Sequence, residues 1–148
     1  MYKKLLIAID PENDAEGKHA LDAAIKLLDK DGELHLVSVY SPGSTGFFPH
    51  VSQEAPEKKE AEVKQTLDEL LQQYRPLKQS VNLHVIAGNT GEKLVGLAGQ
   101  LGADLMILVS SGNSGRWPLR RATVEYVSVN APCQVLILPP TENEITES

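Results

Sequence analysis

Apolar residues along the chain form short continuous runs that alternate with longer stretches of helical spacing. The continuous runs include 2–10 (YKKLLIAID) and 104–109, and such runs are typical of strands buried on both faces of a sheet. Helical spacing extends from about Asp14 to Asp29. Its apolar positions are Ala20, Ala23, Ala24, Leu27 and Leu28. We expect Asp31-Gly32 to end this helix and turn the chain.

The remaining segments continue the alternation. The predicted strands are 33–40, 80–87, 104–109 and 134–138, and the predicted helices are roughly 54–75, 91–101 and 118–130. Asn89 or Thr90 is available to cap the helix at 91, and Gly102 suits the left-handed position that ends it. Pro118 suits a first helical position, because it has no N–H to leave unbonded.

Strands and helices alternate throughout, and every crossover is long enough to hold a helix. This order predicts an α/β fold with a parallel, doubly wound sheet and helices on both faces. Ligands of such sheets bind beyond the carboxyl ends of the strands, where the strand order reverses. Asp10 ends the first strand and Val109 ends the fourth, so both flank that crevice if these strands are neighbours.

The composition fits one soluble domain, with 148 residues of which 41% are hydrophobic and 23% charged. The net charge of −6 argues against non-specific binding to nucleic acid or to an anionic membrane. The single cysteine, Cys133, agrees with a reducing cytoplasm, and the run Leu5 to Ile9 is too short for a signal sequence or membrane span. We expect a cytoplasmic protein with one domain over 1–140 and a disordered acidic tail over 141–148.

The junction after the fourth predicted strand is the main candidate for ligand binding. Small and polar residues separate Val109 from the helix that begins at Pro118. The first of them are Ser110, Ser111, Gly112, Asn113, Ser114 and Gly115. A junction of this kind holds a phosphate group through backbone N–H groups and the positive end of the helix.

Other chemistry has less support in the sequence. The four histidines have no close metal-ligand spacing, and His35 and His84 are expected within strands. Neither a G-x-S-x-G elbow nor a full Walker loop occurs. Cys133 is expected to pack as a small apolar residue, with a redox role as the alternative. The sequence therefore predicts neither a metal site nor catalytic residues.

Three segments of the chain, taken together, form a recognisable pattern: YKKLLIAID, LGADLMILVSS and EYVSVNAPCQVLIL. They resemble the universal stress protein family. YKKLLIAID resembles the first strand of the family, LGADLMILVSS the approach to its phosphate loop, and EYVSVNAPCQVLIL its final helix and edge strand. The resemblance covers about residues 2–139. It implies a Rossmann-like, adenine nucleotide alpha hydrolase-like sheet of five parallel strands in the order 3-2-1-4-5. It also implies homodimers paired through the last strand, which here contains Val135, Leu136, Ile137 and Leu138.

The resemblance further implies a motif for ATP or AMP, which some members of the family bind and others lack. The pattern is G-x2-G-x9-G followed by Ser or Thr. Val109 stands at the first glycine, and Gly112 or Ser111 at the second. Arg121-Ala122 stands at the final pair, and a two-residue slip brings Ala122-Thr123 there, which restores a hydroxyl but no glycine. Glycine allows the backbone to approach phosphate oxygens closely, which Val109 and Arg121 resist.

Three further residues are candidates for contact with a nucleoside. Asp10 is suited to bond a ribose hydroxyl or an adenine edge, or instead to cap the following helix. Pro11 would shape the adenine side of the pocket. Val39 would meet adenine through its backbone, or be simply a core residue.

The leading hypothesis is a non-catalytic, homodimeric stress-response module with weak or absent nucleotide binding. The alternative is an ATP or AMP sensor that uses Asp10, Val39 and the loop 110–116. A slow ATPase is a third hypothesis. It would need Asp10 or a loop hydroxyl to orient water on a bound phosphate, and the sequence offers it no evident base or metal ligand.

Overall fold

The computed structural model describes residues 1–40, 56–110 and 118–139. Within these ranges, strands and helices alternate as the sequence predicts. The elements are β1 (Tyr2–Ala8), α1 (Asp14–Leu27), β2 (Leu28–Tyr40), α2 (Pro56–Gln72), β3 (Ser80–Ala87), α3 (Thr90–Leu101), β4 (Leu105–Val109), α4 (Pro118–Asn130) and β5 (Gln134–Leu138). None of the helices in this part of the chain has the length and apolar character needed to cross a membrane.

The five strands form one sheet in the order β3-β2-β1-β4-β5. Each neighbouring pair is parallel, which confirms the predicted doubly wound fold. The chain first adds strands on one side of β1 and then crosses to β4 on the other side. The strand order therefore reverses between β1 and β4, where doubly wound sheets place their ligands.

Both faces of the sheet are buried, which explains the continuous apolar runs. Alternate residues of a strand point to opposite faces. Leu5 and Ile7 of β1 join the core cluster that includes apolar residues of α1 and α2. Leu6, between them, joins a second cluster that includes residues of α3 and α4. A strand placed between two helical layers therefore needs apolar side chains at every position.

The boundary between α1 and β2 differs from the prediction. The helix ends at Leu27, and Leu28 is already extended with φ −86° and ψ 139°, so the expected helix end at Asp31-Gly32 is wrong. Tyr2 pairs with Leu28 whereas Lys4 pairs with Glu33, so the register shifts between these pairs. Gly32 is buried there, and a Cβ at this position would lie 2.7 Å from Leu28 Cδ1. This glycine thus serves close packing inside a strand.

The caps of α3 agree with the sequence. Asn89 is the N-cap, and its side chain accepts the N–H of Glu92 at 3.1 Å. Gly102 ends the helix in the left-handed region with φ 69° and ψ 37°. Both signals were local in the chain, which is why the sequence was sufficient to predict them.

The amino ends of β1 and β4 are joined by a contact that the sequence did not suggest. The Asp104 carboxylate accepts the backbone N–H of Lys3 at 2.9 Å and that of Lys4 at 3.0 Å. The N–H of Asp104 in turn donates to the carbonyl oxygen of Lys4 at 2.9 Å. Lys4 Nζ donates to the carbonyl oxygen of Leu101 at 2.9 Å, near the end of α3. These bonds fix β1 against β4 at the edge opposite the candidate crevice.

Candidate functional site

The candidate crevice lies at the carboxyl ends of β1 and β4. Ile7 pairs with Ile107 in this parallel ladder. β1 ends at Ala8, so Asp10 lies two residues beyond the strand rather than at its end as predicted, and Ser110 lies one residue beyond β4. The expectation that the first and fourth strands are neighbours is therefore confirmed.

Asp10 takes part in a tight turn that leads from β1 into α1. Its Oδ1 accepts the N–H of Glu12 at 2.9 Å, and its carbonyl oxygen accepts the N–H of Asn13 at 3.0 Å. Short acidic side chains favour turns of this type, because they bond to the backbone two residues later. The alternative in which Asp10 caps α1 is wrong, because Asn13 occupies the cap position.

The cap of α1 is a reciprocal pair that sequence reasoning missed. Asn13 Oδ1 accepts the N–H of Glu16 at 3.1 Å, while Asn13 Nδ2 donates to Glu16 Oε2 at 3.1 Å. Glu16 is buried, with 4% of its surface exposed. The signal was present as Asn13 followed three residues later by Glu16, the spacing of a capping box.

Val109 and Ser110 are both held by the sheet. The Val109 side chain is 4% exposed and belongs to the core cluster shared with α1 and α2. The Ser110 N–H donates to the carbonyl oxygen of Leu138 at 2.8 Å, which extends the β4–β5 ladder by one bond. The first backbone donor after β4 is therefore already used by the neighbouring strand.

Of the other predicted site residues, the structure describes Val39, Pro11 and Thr123. Val39 lies near the end of β2, pairs with Ile86 and packs against the cluster on the α3 side. Pro11 is half-buried in the turn after Asp10, and Thr123 is half-buried on α4. The remaining predicted loop residues, Ser111, Gly112, Asn113, Ser114 and Gly115, lie outside the described residues.

The charge of the described part of the crevice is negative on the α1 side. Asp10, Glu12 and Glu16 contribute carboxyl groups within seven residues. Carboxylates repel phosphate groups, and the Asn13 cap already occupies one N–H at the start of α1. This side of the crevice therefore does not favour an anionic ligand.

Metal and thiol chemistry find little support in the described residues. Across these ranges, no group of three histidine, cysteine or carboxylate side chains is arranged to hold a metal ion. Cys133 is half-buried, and burial, followed by the Asp104 carboxylate, raises the pKa of its thiol. A raised pKa keeps the sulfur protonated and less nucleophilic.

Three solved structures share this fold over nearly the whole length of both chains. The hypothetical protein MJ0577 has 21% identity and a TM-score of 0.76, covering 96% of this chain and 99% of its own. Universal stress protein UspA from Lactobacillus plantarum has 21% identity and a TM-score of 0.71, covering 93% and 97%. A universal stress protein family protein from Arabidopsis thaliana with AMP bound has 12% identity and a TM-score of 0.65, covering 96% and 94%.

Sequence comparison identifies the family. No curated protein sequence matches the chain. The family model described as "Universal stress protein family" matches residues 1–139, which include every described element. The chain therefore belongs to the universal stress protein family.

Proposed function

We propose that this protein is a non-catalytic, homodimeric regulatory module of the stress response that binds adenine nucleotides weakly or not at all. The bond between the Ser110 N–H and the carbonyl oxygen of Leu138, at 2.8 Å, carries this proposal. A phosphate loop binds through free backbone N–H groups, and β5 already occupies the first of these. The turn that follows the neighbouring strand β1 also carries two carboxyl groups, Asp10 and Glu12, which disfavour a phosphate group nearby.

The anchoring of Val109 gives the same proposal a second support. Val109 stands where the family motif has its first glycine, and its side chain is buried in the core. Burial of a valine side chain contributes about 1.5–3 kcal/mol, which resists movement of this part of the backbone. The end of β4 is therefore held in the conformation of a strand, and a glycine would leave it freer to adapt to a phosphate group.

The lack of a catalytic function is supported by the residues that line the described part of the crevice. Over residues 9–13 and at Ser110, the side chains carry carboxyl, amide and hydroxyl groups but no imidazole, thiol or amine. A hydroxyl group needs a neighbouring base to become a useful nucleophile, and the Asp10 carboxylate already accepts the N–H of Glu12 within its own turn. We therefore assign this crevice a binding or structural role.

The homodimer is proposed to form through β5, as the family resemblance implies. In the described sheet, β5 pairs with β4 on one side and lies at the end of the strand order. Ile137 on this strand is 39% exposed, and Val129 on α4 is 82% exposed. An apolar edge strand of this kind favours pairing with a second strand. A second copy of the chain satisfies both the backbone bonds and the apolar side chains.

A sensor of ATP or AMP is the second candidate function. The location of the crevice, where the strand order reverses between β1 and β4, favours it. The Arabidopsis thaliana relative, with AMP bound, shares this fold. In this candidate, Asp10 and Val39 would contact the nucleoside and the loop 110–116 would contact phosphate.

Two measurements on the purified protein test the proposal. Mass spectrometry of protein purified without added nucleotide is expected to detect adenine nucleotide at far less than one molecule per chain. Occupancy near one per chain would instead establish the sensor.

A phosphate-release assay with ATP is expected to show no turnover. Turnover that disappears in Gly112→Val would contradict the non-catalytic assignment, whereas turnover unchanged by that substitution would come from a contaminant.

A further inference from the structure

Two histidines on neighbouring strands contact each other away from the candidate crevice. His35 on β2 and His84 on β3 place Nδ1 and Nε2, respectively, 2.9 Å apart. Their ring centroids are 5.1 Å apart and their planes differ by 26°. His35 is 4% exposed, and His84 is half-buried. A contact this short between two imidazole nitrogens requires a proton between them.

The other nitrogen of His35 determines where the protons lie. Nε2 of His35 is 3.3 Å from Oε1 of Glu33, a group that only accepts when ionised. Nε2 must therefore carry a hydrogen, which leaves Nδ1 of a neutral His35 as an acceptor. His84 then donates its Nε2–H to that nitrogen, and the chain of bonds runs from His84 through His35 to Glu33.

Protonation changes this contact in two distinct steps. One added proton is compatible with the pair, because a single hydrogen still lies between the two facing nitrogens. The Glu33 carboxylate also stabilises that cation. A second proton places an N–H on both facing nitrogens and a positive charge on both rings. Two donors 2.9 Å apart without an acceptor repel each other, so the doubly protonated pair must separate.

The charged groups around the pair come from several elements. Lys4 on β1 places Nζ 3.8 Å from Oε2 of Glu33. Lys64 on α2 acts on His84. On α3 the charged side chains are Glu92 and Lys93, and the aliphatic chain of Lys93 lies against Gly88, four residues beyond His84. Lys4 disfavours added positive charge at His35 and Lys64 disfavours it at His84, whereas Glu33 favours the first proton.

The titration behaviour of the two rings agrees with this geometry. Burial lowers the pKa of His35 from its ordinary value of 6.5, and the bond and charge of Glu33 offset part of that effect. Burial also lowers the pKa of His84, and the neighbouring His35 and Lys64 lower it further. The folded protein therefore resists protonation of the pair, and the unfolded chain accepts protons more readily.

We propose that His35 and His84 form an acid-sensitive latch between the edge strand β3 and the rest of the sheet. The latch is closed when both rings are neutral or when the pair has taken up one added proton, and it opens when the pair has taken up two. In the described sheet, β3 pairs with β2 alone, over eight residues, and the contact between His35 and His84 lies within that ladder. Separation of β3 from β2 would then reach the carboxyl ends of these two strands. There the Gly88 N–H donates to the carbonyl oxygen of Tyr40 at 2.9 Å.

The sign of the effect follows from the direction of the pKa shifts. A histidine whose pKa is lowered by folding makes its full contribution to stability above pH 6.5, the ordinary pKa of the side chain. That contribution is lost as the pH falls from 6.5 towards the lowered pKa values of the two histidines in the folded protein. Each proton taken up on opening changes the opening equilibrium by at most about tenfold per pH unit. The acid-sensitive window therefore lies below neutral pH.

Amide hydrogen exchange of the full chain at pH 7.5 and 5.5 tests the latch, with rates corrected for the intrinsic pH dependence of exchange. Protection of β3 amides is expected to fall at least tenfold relative to β1 amides on acidification. His84→Gln keeps an N–H donor near the position of Nε2 but cannot take the second proton, so its β3 protection is expected to change less than threefold. His19→Gln, which removes an imidazole from α1, is expected to behave as the unmodified chain does. Equal acid sensitivity of His84→Gln and the unmodified chain would overturn the proposal.

Imidazole ¹⁵N NMR of the unmodified chain provides a second test that does not depend on a variant folding. The two rings are expected to titrate in two coupled steps, with the second step displaced to lower pH and accompanied by shifts of β3 amides. Two independent titration curves, or a second step without any change in β3, would overturn the latch. Adding a metal chelator is expected to leave both steps unchanged, and a chelator-dependent titration would show a metal ion between the rings instead.

Discussion

The Ser110 N–H and the carbonyl oxygen of Leu138 form a 2.8 Å hydrogen bond that joins the candidate crevice to the edge strand β5. This bond has two consequences. It removes a backbone donor from the candidate phosphate loop, and it ties the position of that loop to the strand through which the dimer is proposed to form. A ligand that pulled Ser110 away from Leu138 would therefore also disturb the dimer edge.

A charge on the edge strand is expected to separate the dimer. Ile137→Lys places an ammonium group at a position that is 39% exposed in the single chain and buried in the proposed dimer. Burying an unpaired charge costs more than the strand pairing contributes, so monomer is expected in sedimentation velocity. Asn82→Lys, on the opposite edge strand, is the matched control and should leave the dimer intact. A dimer that survives Ile137→Lys would refute pairing through β5.

Contact between α3 and α4 is expected to depend on Gly91. A Cβ at this position would lie 2.9 Å from Cδ1 of Tyr126, which is closer than packed carbon atoms allow. Gly91→Ala should therefore lower the free energy of unfolding by about 1–3 kcal/mol in urea denaturation. Gly96→Ala lies on the same helix with nothing within 4 Å and should be neutral or stabilising by up to about 1 kcal/mol.

Relief of that overlap gives a stricter check of the α3–α4 contact. Tyr126→Ala in the Gly91→Ala background removes the clashing ring. The double variant is expected to lose less stability than the two single changes add up to, because they share one contact. Strict additivity would show that the loss in Gly91→Ala comes from another source.

The Asp104 carboxylate is expected to contribute measurably to stability. It accepts two backbone N–H groups, from Lys3 and Lys4, and an amide in its place offers one acceptor and one donor. Asp104→Asn should lower the free energy of unfolding by about 1 kcal/mol, since the site is exposed to solvent. Asp14→Asn weakens an exposed ion pair with Lys18 and should cost less than about 0.5 kcal/mol. Equal effects of the two variants would contradict the proposed role of Asp104.

Alkaline pH is expected to weaken the contact between α1 and the segment after α2. The hydroxyl oxygen of Tyr74 lies 3.0 Å from Oδ1 of Asp22 and 3.2 Å from the carbonyl oxygen of Lys18. Burial, followed by the bond to Asp22, raises the pKa of Tyr74 to about 12 from 10.0. The folded state thus favours the protonated hydroxyl, and this stability is present below pH 10 and lost as pH rises through 12.

Tyr74→Phe isolates that effect, because phenylalanine cannot ionise. Urea denaturation between pH 9 and 11.5 is expected to show a shallower loss of stability in this variant than in the unmodified chain. Tyr2→Phe removes a tyrosine hydroxyl from the amino end of the sheet and serves as the control. A slope unchanged by Tyr74→Phe would show that the alkaline loss arises at other groups.

Much of the fold was predictable from the sequence because its signals are local. The apolar run of β4 and the capping residues Asn89 and Gly102 each act within a few residues of the chain. The early start of β2 was not predictable in this way. Leu28 and Gly32 take their conformations from the register against β1 and from close packing, and neither is encoded by periodicity alone.

The candidate site was predictable in position but not in its bonding. The strand order implied by the family resemblance sufficed to bring Asp10 and Val109 to one crevice. That Ser110 is bonded to Leu138, and that Asn13 rather than Asp10 caps α1, depends on contacts between separate segments or on competition between neighbouring side chains. The pairing of His35 with His84 likewise depends on strand register, since the two residues are 49 positions apart.

Calorimetric titration of the purified protein with ATP and with AMP tests the central claim most directly. The occupied Ser110 N–H, the buried Val109 and the acidic turn at Asp10 together predict no saturable heat at micromolar nucleotide concentrations. The Arabidopsis thaliana relative, whose structure has AMP bound, provides a positive control. A saturable isotherm with one site per chain and a micromolar Kd would contradict the claim and establish the nucleotide sensor.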